Sequence, residues 1–262
     1  MPVETHLDRA SERVDDEQAA IAAKRAAFDA FIDRVESLSP KPEAGGPAPE
    51  GVLATAGSLS GTTATENRCR RVRRAFAETV RPHSVDDVQA EPLIETIEAE
   101  LSASVAGALA PTTDSSFSPT LKRAVLSAAH TRRAETEVLL AALDRETDQL
   151  DDARVTVETI TTWIDDADET PLRELGFEPL RDRHETLEIH RAQCETLAQQ
   201  RQRFLRQSTT HGVGGGTNHR ELIPYLYQPL PVDWPVLSAA ARLATNCTDC
   251  QQAVRRHLVR RG

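Results

Sequence analysis

The chain has 262 residues, of which 39% are hydrophobic and only 4% aromatic, with 41 acidic and 31 basic side chains and a net charge of -10. A round core of this size draws on large rings that bury much area each, whereas helices sharing narrow seams need only aliphatic residues at heptad positions; the composition argues against a ring-rich globule. No run approaches the roughly 18 apolar residues of a membrane span. Met1 to Asp8 carries neither a basic n-region nor an apolar h-region. The expectation is a cytoplasmic protein with no membrane partner, in which Cys69, Cys194, Cys247 and Cys250 are reduced thiols.

Glycine and proline are segregated. Five of the twelve glycines fall in residues 39–63 and four in Gly212 to Gly216, while no proline occurs between Thr120 and Thr170 or between Leu180 and Ile223. A chain that keeps both breakers out of such windows reserves them for helix.

A first helix is predicted from Thr5 to Leu38 within an N-terminal segment 1–38, where Leu7, Val14, Ile21, Phe28 and Val35 recur every seven residues. Its companion row, Ala10, Glu17, Lys24, Phe31 and Leu38, is half polar. Residues 39–63 read as a flexible Pro/Gly-rich linker, unable to bury enough apolar area to offset ordering entropy. A second helix is predicted over Ala64–Val80, with Cys69, Val72, Phe76 and Val80 on its apolar face. A third follows Pro92 and carries Leu93, Ile94, Ile97, Leu101, Val105 and Leu109 unbroken to Pro111.

The longest helix is predicted over 118–164, opened by Ser118 as N-cap and Pro119 at the first helical position. Leu143, Leu150, Val157 and Ile164 form one row, with Leu139, Ala153 and Ile160 beside it and Glu146 interrupting. The next helix, 178–207, continues the spacing through Leu180, Leu187 and Cys194. The short connection between them predicts an antiparallel hairpin inside a helical bundle of residues 64–208. Residues 209–234 read as a Gly/Pro-rich connector. Its end, with Tyr225, Tyr227 and Trp234 among four prolines, is expected to be an extended strap packed on the helices. A last helix, within 235–262, carries Val236, Leu243, Cys250 and His257 in one row and Ala240, Cys247 and Val254 in the next.

Candidate chemistry is sparse. Cys247 and Cys250 have the spacing of half a zinc site or of a redox dithiol, but no second cysteine pair, spaced histidine pair or βαβ pattern accompanies them. Both also fit heptad rows as small apolar residues. The glycines at Gly212 to Gly216 lack the preceding strand and the Gly-Lys-Ser/Thr ending of a phosphate loop. Arg68, Arg70, Arg71, Arg73 and Arg74 form a basic cluster, and Arg255, Arg256, Arg260 and Arg261 another, either of which could meet phosphates. Against that, residues 144–169 hold ten acidic and two basic side chains, with which those clusters could pair. No nucleophile elbow or acid–base pair stands out.

Lys24, Lys41 and Lys122 are the only lysines; every other basic side chain is arginine. Acidic excess with so little lysine resembles proteins of salt-loving archaea, where a Debye length of ~3 Å at 1 M salt makes repulsion between surface carboxylates cheap. The segments HLDRASERVDDEQAAIAAKRAAFDAFIDRV, VRRAFAETVRPH and PVLSAAARLATNC with CQQAVRRHLVRR resemble an uncharacterised helical family of such organisms. That resemblance implies an environment and a shape, not a reaction.

The sequence thus predicts an all-α fold built on a long antiparallel helical hairpin with coiled-coil-like segments. No catalytic, cofactor-binding or metal site is assigned, and no cofactor is expected. The expected function is a non-enzymatic interaction or scaffold protein with a protein partner or self-association through its heptad seams. Two alternatives stay open: a nucleic-acid-associated regulator using Arg68–Arg74, which the acidic surface disfavours, and a metal or redox protein using Cys247 and Cys250.

Overall fold

A computed structural model of the chain describes residues 6–40, 60–84, 91–113, 116–207 and 219–261. Among these the regular structure is helical throughout: α1 (Leu7–Glu36), α2 (Ser60–Glu78), α3 (Leu93–Glu100), α4 (Ala103–Leu109), α5 (Pro119–Asp168), α6 (Phe177–Gln207), α7 (His219–Tyr227) and α8 (Pro235–Leu258), with 3-10 turns at Arg81–His83 and Leu172–Glu174. The fold is all-α, as the sequence predicts.

The chain divides into two compact units, one spanning Ala19–Leu140 and the other joining the stretch up to Gln18 to the stretch from Ala141 onward. The heptad row of the first helix serves both: Leu7 and Val14 are buried in one unit, Phe28 and Val35 in the other, and Ile21 is half-buried.

In the Ala19–Leu140 unit, α1 contributes Phe28, Phe31, Ile32 and Val35 to a core shared with Val72 and Phe76 of α2, Ile97 of α3, Val105 and Leu109 of α4, and Val125 and Ala129 of α5. Phe31 and Phe76 meet edge to face, with centroids 5.5 Å apart and planes at 88°, the arrangement a ring quadrupole favours. The polar break at Lys24 has a structural use. Its ammonium lies 2.6 Å from Glu100 of α3, whose other oxygen accepts from Arg132 of α5 at 3.0 Å. Lys122 donates to the carbonyls of Glu36 and Leu38 at 2.7 and 2.9 Å, satisfying acceptors that the end of α1 leaves open.

Two helix starts fall where the sequence did not place them. The predicted third helix is two, α3 and α4, because Ser102 caps a new start: its hydroxyl accepts from the Val105 amide at 3.2 Å. The apolar row ran through this break, so periodicity concealed it. The backbone of α2 is already helical at Ser60, four residues ahead of the expected start at Ala64; residues 41–59 lie outside the described residues. At the start of α5, Ser118 accepts from the Leu121 amide at 3.1 Å ahead of Pro119, as predicted.

In the other unit, α5 and α6 run antiparallel. Glu146 pairs with Arg201, and Trp163 meets His190 at 5.0 Å between ring centroids, so positions rise along one helix as they fall along the other. The same logic makes α6 and α8 antiparallel, since Gln251 donates to the His184 carbonyl at 3.2 Å while Cys194 contacts Cys247. The expected extended strap is instead α7. Leu222, Ile223, Leu226 and Tyr227 recur at helical spacing and are all buried, while Pro224 and Tyr225 face outward. The burial of that stripe outweighs the single amide that Pro224 removes. Of the other three prolines, Pro235 opens α8 and Pro229 and Pro231 fall between the two helices.

Phe76→Ala is expected to lower the unfolding free energy by about 3–5 kcal/mol, and Ser118→Ala by about 1 kcal/mol. Urea titrations followed by far-ultraviolet circular dichroism measure both; a loss below ~1 kcal/mol for Phe76→Ala would contradict its place in the core.

Candidate functional site

Glu146 was the one polar member of its row on the longest helix. In the structure it is fully buried. Arg201 of α6, also buried, grips it at both oxygens, with Nη1 donating to Oε2 at 2.8 Å and Nη2 to Oε1 at 2.7 Å. The buried Tyr227 of α7 donates its hydroxyl to Oε1. The Arg201 guanidinium also lies 5.3 Å from the centroid of Phe204, a cation–π contact. Three helices thus converge on one carboxylate. Burial, then the Glu146 charge beside it, pushes the Tyr227 phenol far above its usual range, so it stays a donor. A fork-shaped guanidinium and a phenol satisfy the carboxylate without water.

Two turns and a half beyond Glu146, α5 forms one wall of a surface groove. Val155, Thr156 and Thr159 line it from α5; Ile189, Ala192, Gln193, Thr196, Leu197 and Gln200 line it from α6, and its volume is about 510 Å³. Val155 is 64% exposed and Ile189 59%. Two branched aliphatic side chains this open, facing one groove, leave apolar surface in water. The rest of the lining is neutral, with no charged side chain.

The two cysteines that the sequence singles out have different surroundings. Cys247 is buried at the α6–α8 seam, where its thiol contacts that of Cys194. The hydrogen bond from Cys247 holds the Cys194 thiol down, while donating that bond, together with burial, pushes Cys247 up. Cys250 is half-buried, and burial, with the Asp168 charge, pushes it up as well. Among the described residues, no group of three or more His, Cys, Asp or Glu side chains converges as metal ligands would.

The basic cluster on α2 turns partly inward. Arg73 donates to the Leu109 carbonyl at the end of α4 at 2.5 Å, and Arg74 lies 2.7 Å from Glu78, which Arg34 of α1 meets at 2.8 Å. The two arginines hold the Glu78 carboxyl below its usual range. Arg70 and Arg71 are exposed. In the C-terminal cluster, Arg255 contacts His184 Nε2 at 3.1 Å and Arg261 donates to the Arg173 carbonyl. The Gly212 to Gly216 run lies outside the described residues.

Sequence reasoning missed Arg201, Tyr227 and the groove. A signal for the first was present: Leu180, Leu187, Cys194 and Arg201 continue one seven-residue row, and all four are buried. Following that row past its last apolar member finds the partner of Glu146.

Glu146→Met or Arg201→Leu alone is expected to cost about 3–5 kcal/mol, and the double replacement Glu146→Met/Arg201→Leu less than either, because a lone buried charge is worse than none. Chemical denaturation of the four proteins tests this; additive losses would refute a coupled pair. Alkali gives a second readout. A phenol held protonated in the folded state contributes its full stability below the unfolded value of about 10 and loses it as pH rises above that. The native protein should lose stability above pH ~10 more steeply than Tyr227→Phe. Thiol labelling of the folded protein should modify Cys250 well before Cys194 or Cys247, since reagent must reach the sulfur; equal rates would place the seam in the open.

No curated protein and no solved structure matches the chain. One family model does, the Domain of unknown function (DUF7260), over residues 5–251. That match takes in all eight helices except the last turns of α8, and the chain belongs to this family.

Proposed function

We propose that this chain is a non-enzymatic helical interaction protein, a scaffold of a salt-rich cytoplasm that receives a protein partner on the α5–α6 groove. The observation that carries the reading is the pair of open aliphatic side chains, Val155 and Ile189, set on the two walls of one groove with a neutral threonine and glutamine lining. Apolar atoms held at the surface on two rigid helices present a preformed surface to a third helix, which lays its own apolar stripe between them. The acidic excess and the scarcity of lysine suit a medium in which surface repulsion is screened. No helix among the described residues is long and apolar enough to cross a membrane. The nucleic-acid alternative gains less support, because Arg73 and Arg74 already serve contacts inside their own unit.

A photo-crosslinking amino acid placed at Ile189 tests the reading. In native extract over a series of KCl concentrations, Ile189 is expected to give a discrete protein adduct that the same probe at exposed Gln202 does not give. Equal labelling at the two positions would remove the groove as a partner site.

A further inference from the structure

We propose that the occupant of the α5–α6 groove is α6 of a second copy of this chain, laid antiparallel about a two-fold axis that crosses the groove face of α6 at the height of position 194. This rests on the reading of the groove as a partner site and names the partner.

The argument begins with helical spacing. Glu185 and Arg203 are 18 residues apart on α6, five full turns at 3.6 residues each. They therefore stand on one line along the helix, about 27 Å apart. Ile189, Ala192 and Thr196 fall along the line between them, and all three line the groove. Glu185 and Arg203 are both exposed. The line thus carries an acid at one end, a base at the other, and aliphatic and small neutral side chains between.

Such a line is complementary to itself when reversed. Position 194 lies midway between 185 and 203, so an antiparallel copy sets each Glu185 against the partner's Arg203. Ala192 falls against the partner's Thr196, and both are small enough for the helices to approach closely. The charges meet twice, once at each end, which a two-fold axis requires of an isologous contact. In a parallel arrangement like charges would face each other at both ends, which costs affinity.

The second wall agrees. Trp163 of α5 lies against His190 of α6, so the end of α5 that follows is level with the Glu185 end of α6. Asp166, seven residues beyond the groove residue Thr159, is exposed there. It adds a second carboxylate where the partner's Arg203 arrives. Val155, on the same wall, covers the partner's helix near its middle. The result is four helices in two copies, with the two α6 helices central and each α5 resting on the other copy's α6.

Charge exchange in the full-length protein tests this. At about 0.1 M salt, where the Debye length is ~10 Å, sedimentation equilibrium should show a dimer. Glu185→Arg and Arg203→Glu should each weaken it by about tenfold or more, since each turns two attractions into two repulsions. The double variant Glu185→Arg/Arg203→Glu should restore the dimer. That restoration excludes misfolding as the cause of the single losses, and circular dichroism on each variant checks it directly.

A wild-type monomer at every concentration and salt would overturn the inference. If the Ile189 probe then captured a different protein, the partner-site reading would stand without self-association; if it captured nothing, both would fall. A dimer that both single variants leave unchanged would overturn the antiparallel seating.

Discussion

The bidentate grip of Arg201 on Glu146, closed by the Tyr227 hydroxyl, is the constraint on which the second unit depends. It is the one place there where α5, α6 and α7 must meet at a fixed height and a fixed rotation. Apolar seams alone do not impose this, because a row repeated every seven residues also matches itself one heptad away. Slide α5 by seven residues and Glu146 faces Cys194, while Arg201 faces an aliphatic position. Each charge is then buried without a partner, at several kcal/mol apiece. The interaction contributes less as net stability than as a penalty on every other register. It also fixes what faces water. Val155 is nine residues past Glu146, two and a half turns, so turning Glu146 inward turns Val155 outward.

The same device occurs in the Ala19–Leu140 unit with different chemistry. There Lys24 and Arg132 bracket Glu100, one from α1 and one from α5. Burial alone would make the Arg132 charge harder to hold; its bonds to Glu135 and Glu100 outweigh that and keep its pKa above the usual value. Both units therefore bury a carboxylate among helices and secure it from two neighbouring helices, Glu100 with two cations and Glu146 with one cation and a phenol. Of the three lysines, Lys24 and Lys122 both hold specific partners, so the two described departures from arginine are structural positions, not random surface charge.

The fold was legible where a local rule has no competitor. Ser118 before Pro119 marks a helix start whatever surrounds it, and the proline-free windows bound α5 and α6 because proline is costly in any helix interior. Reading failed where tertiary burial decides. Pro224 argues locally against helix, yet the stripe Leu222, Ile223, Leu226 and Tyr227 gains enough from burial to form one. Ser102 is a competent cap inside a row that otherwise reads as continuous, and only packing selects the cap. Glu146 read as a blemish on a seam because its partner stands 55 residues away. Cys247 and Cys250 read as a pair because they are near in sequence, and the seam took Cys247 and paired it with Cys194.

Salt acts differently on the enclosed and the exposed interactions of the molecule. The Glu146 network is enclosed by protein, so mobile ions cannot enter between its charges, and it should hold across ionic strengths. The exposed pairs, such as Arg34 with Glu78 and Arg133 with Glu137, are open to ions and fade as the Debye length shrinks. Apolar burial behaves in the opposite sense, strengthening in salts that are excluded from protein surface. A chain of net charge -10 that keeps its register-setting charges inside is therefore expected to fold with little sensitivity to salt, and the association proposed for its neutral groove would be the salt-responsive part. In dilute salt the end charges would select orientation. In concentrated salt the groove's apolar atoms would carry the contact, with orientation then left to the shape of the small residues along α6.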